Sequence, residues 1–268
     1  MKYSIITVNY NNKEGLRRTI ESVIHQTFRD FEYIIIDGGS SDGSTDVLLE
    51  YDKQIDYWIS EPDNGIYQGM NKGIKQAKGD YLNFMNSGDC FYANDILQKV
   101  AHYGNDADII TGRDYHYSEE KQQGHASVQP SYLSMITFFN ATLDHQSSFI
   151  KRELFNNSLY REDLRLVSDW VFFLEKVVIE GKQVQFIPDI VCYRELAGLT
   201  AQQYNKNLQE KDEYLHGLLP IGVYKDYACL TQIDKETLYK LMNLLHHQRA
   251  KKILTYCIKI IYRIISKL

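Results

Sequence analysis

Cysteine is scarce in this chain: Cys90, Cys192, Cys229 and Cys257 are the four in 268 residues, far apart and never in a CxxC pair. That spacing excludes a disulfide framework and a cysteine zinc site, and it suits a reducing compartment. No stretch of about 18 apolar residues occurs, so no membrane-spanning helix is expected. The first residues run straight into the apolar Tyr3–Val8 and do not resemble a signal peptide, so none is expected. Acids are missing from the last 20 residues, which carry Arg249, Lys251, Lys252, Lys259, Arg263 and Lys267. The whole chain has a net charge of −5, so residues 1–248 alone sum to −11. A body that acidic excludes a general nucleic-acid binder, whereas its basic end suits an anionic surface. Also absent are a GxGxxG after the first strand and a Walker loop, so neither a dinucleotide nor ATP hydrolysis has its phosphate cradle.

What is present is an ordinary globular mixture, 44% hydrophobic and 24% charged, which excludes disorder for the bulk of the chain. The length suits one or two domains. Apolar periodicity predicts strands at Tyr3–Val8, Phe31–Ile36, Ile55–Ser60, Tyr81–Met85 and Ala107–Thr111, alternating with helices at Glu14–Gln26, Asp46–Tyr51, Ile66–Ala77 and Ile96–Tyr103. Repeated βα units give a mostly parallel sheet flanked by helices. Further on, Arg113–Val128 reads as loops or a hairpin, Ser147–Ile150 as a strand, and Asp169–Glu180 as a strong helix. Val184–Ile187 and Ile190–Tyr193 read as two short strands around Pro188. From about Asn205 the pattern is helical. The expected organisation is an α/β domain over 1–203 (halves 1–110 and 111–203), then a helical extension over 204–268.

In such a sheet, ligands bind beyond the carboxyl ends of the strands. Those ends carry Thr7, Asn9, Tyr10 and Asn11; Asp37 with Gly38-Gly39-Ser40-Ser41-Asp42-Gly43-Ser44; Glu61-Pro62-Asp63-Asn64-Gly65; and Asn86-Ser87-Gly88-Asp89. Polar loops and helix caps explain residues such as Asp42 and Ser44. They do not explain acids at successive strand ends with an aromatic after the first. Tyr10 can stack on a base, Asp37 can accept from a base N–H, and Asp89 can hold a divalent cation bridging a pyrophosphate.

At these residues the sequence resembles a family 2 glycosyltransferase of GT-A fold. The resemblance rests on Ser4–Asn11, on Leu16–Phe28 continued to Asp37–Thr45, on Glu61–Tyr67 with Met70–Ile74, and on Gly79-Asp80-Tyr81 with Asn86–Asp89. It is dense over residues 3–100 and thinner to about 200, and Glu61–Tyr67 with Met70–Ile74 resembles a subgroup found in bacterial exopolysaccharide and O-antigen synthesis. It implies a nucleotide-sugar donor, UDP-linked, bound by Thr7, Asn9, Tyr10, Asp37, Asp63, Asn86 and Gly88, with Asp89 holding Mn²⁺ or Mg²⁺. Two departures stand out. Asn86 and Gly88 replace acids of the metal motif, and Gln68-Gly69 replaces Asp-Ala.

An inverting transfer needs one carboxylate to deprotonate the acceptor hydroxyl. Asp169, in Ser168-Asp169-Trp170, matches the family's base; the plain alternative is an acid favouring its helix dipole. Glu162 and Asp163 are weaker rivals. His145, before Gln146, can face the acceptor or the metal, or simply be a satisfied loop residue. His246-His247 reads as surface. Arg194-Glu195 before Gly198-Leu199-Thr200 can form a loop over the diphosphate, or an ordinary ion pair. Over 253–268, Leu254, Cys257, Ile258, Ile261, Ile264, Ile265 and Leu268 share a face, which suits an anionic membrane interface or packing on the body or a second copy.

The expectation is an inverting, metal-dependent hexosyltransferase in cell-surface polysaccharide synthesis. It would act in the cytoplasm, peripherally on the inner membrane face through residues 249–268. The acceptor would be a glycan or lipid-linked saccharide, with oligomeric state open. One rival is a sugar-1-phosphate nucleotidyltransferase, which would want a glycine-rich basic loop where Asn9-Tyr10-Asn11-Asn12 stands. The other is a degenerate protein that binds a sugar nucleotide without turnover.

Overall fold

The computed structural model describes residues 1–104, 106–118, 120–130, 133–195 and 203–266. Strands β1 (Tyr3–Asn9), β2 (Phe31–Asp37), β3 (Tyr57–Ser60) and β4 (Tyr81–Phe84) pair in the order β3-β2-β1-β4, all parallel. The helices α1 (Lys13–Ile24), α2 (Ser44–Glu50) and α3 (Ile66–Gln76) connect them. Helix α1 buries Leu16, Ile20 and Val23 in a core shared with Tyr3, Ile5, Tyr33 and Ile35. Burial of each such side chain contributes about 1.5–3 kcal/mol. The alternate residues of β1 face α3 at close range. A Cβ on Gly73 would meet Ile6 Cγ2 at 2.5 Å, and one on Gly69 would meet Val8 Cγ1 at 2.7 Å. The close seat of α3 therefore depends on glycine at 69 and 73.

The later strands are β5 (Cys90–Phe91), β6 (Ile109–Ser118), β7 (Gln123–Ala126), β8 (Ser148–Lys151) and β9 (Val184–Glu195), with α4 (Ile96–His102), α5 (Met135–Asn140) and α6 (Ser168–Phe173) between them. They extend the sheet as β4-β8-β6-β9-β5, with β7 beside β6. Strand β8 runs antiparallel to both β4 and β6, and β9 is parallel to β6. Among the described residues six strands thus share one direction, and β5, β7 and β8 oppose them. The sheet is mixed, with helices around it. This is the GT-A arrangement expected from the sequence.

Three local expectations change. Strand β6 does not end at Thr111 but continues into the predicted hairpin region. The two short strands around Pro188 are one strand, β9. Its pairing with β6 skips register between Thr111 and Asp114, which lets Ile187-Pro188-Asp189 bulge out opposite Gly112. Proline lacks an N–H, and a bulge is where a strand tolerates it. The predicted helix over Asp169–Glu180 is α-helical only to Phe173 and widens into a π-helical turn over Leu174–Ile179.

Backbone proximity divides the chain into two compact units, Met1–Phe138 with Thr142–Glu213, and Phe139–Ala141 with Tyr214–Leu268. The boundary falls inside α7 (Tyr204–Leu218). The second unit continues with α8 (Ile221–Leu230), α9 (Lys235–His246) and α10 (Gln248–Ile265). Within it Phe139 stacks on Tyr227 with centroids 5.2 Å apart. On α10, Ile253, Tyr256, Ile258, Ile261 and Tyr262 are exposed. No helix among the described residues is long and apolar enough to cross a membrane.

Candidate active site at the carboxyl edge of the sheet

The parallel register of β1 and β2 sets Asn9 beside Asp37. Asp37 is wholly buried. Its Oδ1 accepts from Asn9 Nδ2 at 2.7 Å and Ser40 Oγ at 2.6 Å, and its Oδ2 from Ser40 N at 2.9 Å and Ser60 Oγ at 2.6 Å. Burial alone would raise its pKa, but the hydrogen bonds from Ser40, Ser60 and Asn9 outweigh it and hold the carboxyl below its ordinary value. A carboxylate offers about four acceptor sites, and all are taken. A nucleobase N–H reaches Asp37 only when a serine hydroxyl turns away. Tyr10 stands at the rim, 66% exposed.

Thr7 does not join this rim, contrary to expectation. It is wholly buried, and its hydroxyl donates to the Met85 carbonyl at 2.7 Å and lies 3.0 Å from Tyr33 Oη. It points to the same side of β1 as Asn9 but two residues deeper, about 7 Å below the strand end. Asp63 does reach the edge. Its Oδ1 accepts from Gly65 N at 3.0 Å, and a Cβ on Gly38 would come within 2.9 Å of its Oδ2.

After β4 the chain turns tightly, with Gly88 at φ +103° and the amide of Asp89 donating to the Asn86 carbonyl at 2.9 Å. Thr19 on α1 clamps this turn, donating to the Asp89 carbonyl at 2.7 Å and accepting from Gly88 N at 3.0 Å. Gln146 Nε2 donates to Asp89 Oδ2 at 3.1 Å. Burial pushes the Asp89 carboxyl up to about 6, and Asp114 adds to the rise; Arg194, His145 and Gln146 work against it.

Asp169 lies where α6 begins. Tyr67 Oη donates to its Oδ1 at 2.7 Å, and its Oδ2 is 2.8 Å from His145 Nδ1. His145 Nε2 is in turn 3.1 Å from Asn86 Nδ2. In this amide orientation Asn86 only donates, so the imidazole proton sits on Nδ1 and points at Asp169. One chain of contacts, Tyr67–Asp169–His145–Asn86, therefore joins α3, α6, the 3₁₀ turn His145–Ser147 and the end of β4. Burial opposes charge at Asp169, yet the hydrogen bonds from His145 and Tyr67 hold its pKa below the ordinary value. At His145 burial opposes protonation, but Asp169 and Asp89 outweigh it and raise the pKa.

The rivals for Asp169 are committed elsewhere. Glu162 accepts from Asn71 and Gln68, and Asp163 pairs with Arg161. His247 is exposed, while the side chain of His246 and the predicted loop Gly198-Leu199-Thr200 lie outside the described residues.

Asn86 Oδ1 and Gln146 Oε1 are buried with no hydrogen-bond partner among the described residues. Each, like the Asp89 carboxylate, is a hard oxygen donor, the chemistry that Mn²⁺ and Mg²⁺ require. The residues present therefore fit a divalent cation despite the missing acids.

Sequence reasoning quoted Tyr67 without giving it a role, and passed over Thr19, Asp114, His116 and Asp144. Tyr67 and Asp169 are 102 positions apart, and nothing in the sequence connects them. Asp114 and His116 did carry a signal, since alternate residues of one strand share a face.

The sequence profile of glycosyl transferase family 2 matches residues 4–165. An uncharacterized glycosyltransferase of Mycobacterium tuberculosis is 44% identical over 98 residues, which is 36% of this chain and 37% of that relative. The PGL/p-HBAD biosynthesis glycosyltransferase of Mycobacterium bovis is 27% identical over 206 residues, 74% of this chain and 78% of the relative. Among solved structures, TarS 1–349 of S. aureus in complex with UDP-GlcNAc superimposes with a TM-score of 0.62 at 17% identity, covering 73% of this chain and 58% of that one. The mannosyltransferase PcManGT of Pyrobaculum calidifontis, in complex with GDP-Man and Mn²⁺, gives 0.63 at 12% identity, covering 95% and 83%.

Proposed function

The chain belongs to glycosyl transferase family 2, and from that premise we propose that it is an inverting, metal-assisted hexosyltransferase using a UDP-sugar. The carrying observation is Asp169, held between Tyr67 and His145 and linked through Asn86 to the strand end that bears Asp89. Asp169 takes the proton of the acceptor hydroxyl. The hydroxyl oxygen then attacks the anomeric carbon from the face opposite the diphosphate, and the bond from that carbon to the diphosphate oxygen breaks. The charge left on the diphosphate is what a divalent cation at Asp89, with Asn86 and Gln146, would neutralise. His145 orients Asp169 and borders the acceptor. Asn9, Tyr10 and Asp37 form the base pocket, and Asp63, Asn86 and Gly88 border the ribose and diphosphate.

Residues 1–110 are assigned to the donor, 111–203 to the acceptor and 204–268 to an extension. UDP is the choice because the S. aureus neighbour holds UDP-GlcNAc; the GDP-Man of the other neighbour keeps the base worth testing. The acceptor is a hydroxyl of a glycan or lipid-linked saccharide. Support for a lipid surface comes from α10, whose exposed Ile253, Ile258 and Ile261 share a helix with exposed Lys251, Lys252 and Lys259. The setting proposed is the cytoplasmic face of the membrane.

Calorimetry of UDP, GDP, CDP and ADP with and without Mn²⁺ tests the donor half. Selective, metal-enhanced UDP binding is expected; binding of none of them overturns the reading. Donor turnover present in wild type and absent in Asp169→Asn separates the transferase from a degenerate binder.

A further inference from the structure

A cluster with no role in that reading lies where β6 and β9 pair beyond their bulge. Asp114 and His116 project from one face of β6, and Asp144 precedes the turn that carries His145. One ligand atom from each of the three lies within 4.8 Å of the others. Asp114 is wholly buried, yet neither of its carboxylate oxygens has a hydrogen-bond partner among the described residues. His116 Nε2 lies 3.7 Å from it, and its nearest cationic atom is Arg194 Nη1 at 3.9 Å. Arg194 also stands 3.8 Å from Asp144 and 3.3 Å from His116 Nε2. One guanidinium thus faces Asp114 and Asp144, with Asp89 close enough to add its own negative charge. A buried carboxylate without donors is costly unless a cation compensates it, and Arg194 approaches these acids without a hydrogen bond to either. Burial, with Asp144 beside it, pushes the Asp114 carboxyl up.

We propose that Asp114, His116 and Asp144 form a second divalent-cation site, separate from the one at Asp89, with Arg194 as the cation that stands there when metal is absent. Ligand atoms bound to one ion at about 2.0–2.2 Å lie no more than about 4.4 Å apart, so a contraction of a few tenths of an ångström closes the set. Two carboxylates with an imidazole favour Mn²⁺ or Zn²⁺ over Mg²⁺, which takes oxygen ligands almost alone. Arg194 Nη2 donates toward His116 Nε2, so that nitrogen carries a lone pair ready for a metal. Entry of the ion moves Arg194 aside and fixes Asp144, the residue before His145.

The test is titration of the full chain with Mn²⁺ alone, followed by electron paramagnetic resonance and calorimetry, with circular dichroism to confirm folding of each variant. Wild type is expected to bind two ions, Asp89→Asn one, His116→Ala one, and the double variant none. Arg194→Gln, which removes the competing cation, is expected to tighten the His116-dependent site at least tenfold. The proposal is overturned if Asp89→Asn binds no Mn²⁺, if His116→Ala leaves its remaining binding unchanged, or if Arg194→Gln fails to tighten it. Unchanged binding in Asp89→Asn with loss in His116→Ala would instead remove the ion from Asp89 and leave this site standing.

Discussion

Asp37 and Asp114 are both wholly buried carboxylates near the carboxyl edge of one sheet, and they are held in opposite ways. Asp37 accepts four hydrogen bonds from neutral neighbours, and its pKa falls. Asp114 accepts none from the described residues, faces a guanidinium at 3.9 Å, and its pKa rises. Neutral donors satisfy a charge without moving, so the Asp37 end is organised before any ligand arrives. The Asp114 end is satisfied only by another cation, so it is organised by whatever positive charge is present. Between them Asp169 takes both kinds of partner, a phenol and an imidazole.

The largest effect should come from that middle position. Asp169→Asn keeps the size of the side chain and removes the base. Transfer should fall by about 10²–10⁴, the usual contribution of a general base, with nucleotide binding unchanged in calorimetry. A loss of binding of similar size would make Asp169 part of the donor pocket instead.

Next comes stability, where the two ends should part in sign. Asp37→Ala leaves the donors of Asn9, Ser40 and Ser60 without their acceptor, a loss of about 2–5 kcal/mol in urea unfolding. In metal-free protein, Asp114→Asn removes a buried charge that nothing pairs closely, and its midpoint of thermal unfolding at pH 7 should rise. The pH dependence follows the same division. Asp37 has a lowered pKa, so its contribution is full above the unfolded value near 4 and is lost as pH falls through the lower folded value. Asp114 has a raised pKa, so its native form takes up a proton first, and stability increases as pH falls from its folded value towards 4. Thermal melts of the two variants between pH 3 and pH 7, with a chelator present, check both signs.

The same contrast explains what the sequence could disclose. The Asp37 end follows from parallel βα units, whose periodicity locates each strand end and so Asn9, Asp37, Asp63 and Asp89. The resemblance puts Thr7 in the base pocket, whereas its hydroxyl is buried two residues below the strand end and bonded to the Met85 carbonyl. The Asp114 end depends on pairing between β6 and β9 across about 75 residues, and Pro188 marks a break in β9 without disclosing the partner strand. Arg194 meets His116 at a separation of 78 positions. Groups that nearby serines hold are legible in a sequence; groups held by distant charges are not.

The smallest effect concerns Tyr67, and it tests whether Asp169 belongs with Asp37 or with Asp114. Tyr67→Phe keeps the ring, which packs on Tyr160 at 5.7 Å between centroids, and removes one donor from Asp169 Oδ1. The hydrogen bonds from His145 and Tyr67 are what hold Asp169 down against burial, so losing one must raise its pKa. The carboxylate form carries the activity, so the Asp169 step of the acid limb of kcat/KM, read at saturating Mn²⁺ so that Asp89 stays ionised, should move to higher pH by about 0.5–1 unit, the shift expected of about 1 kcal/mol. At pH 8, well above that limb, the variant should transfer at close to the wild-type rate, or slightly faster because a less stabilised carboxylate is the stronger base. A rate reduced equally at every pH would instead mean that Tyr67 supports only the packing beneath α6. A limb that stays in place would mean that His145 alone sets the charge of Asp169, which would place this carboxylate with Asp114, governed by cations rather than by neutral donors.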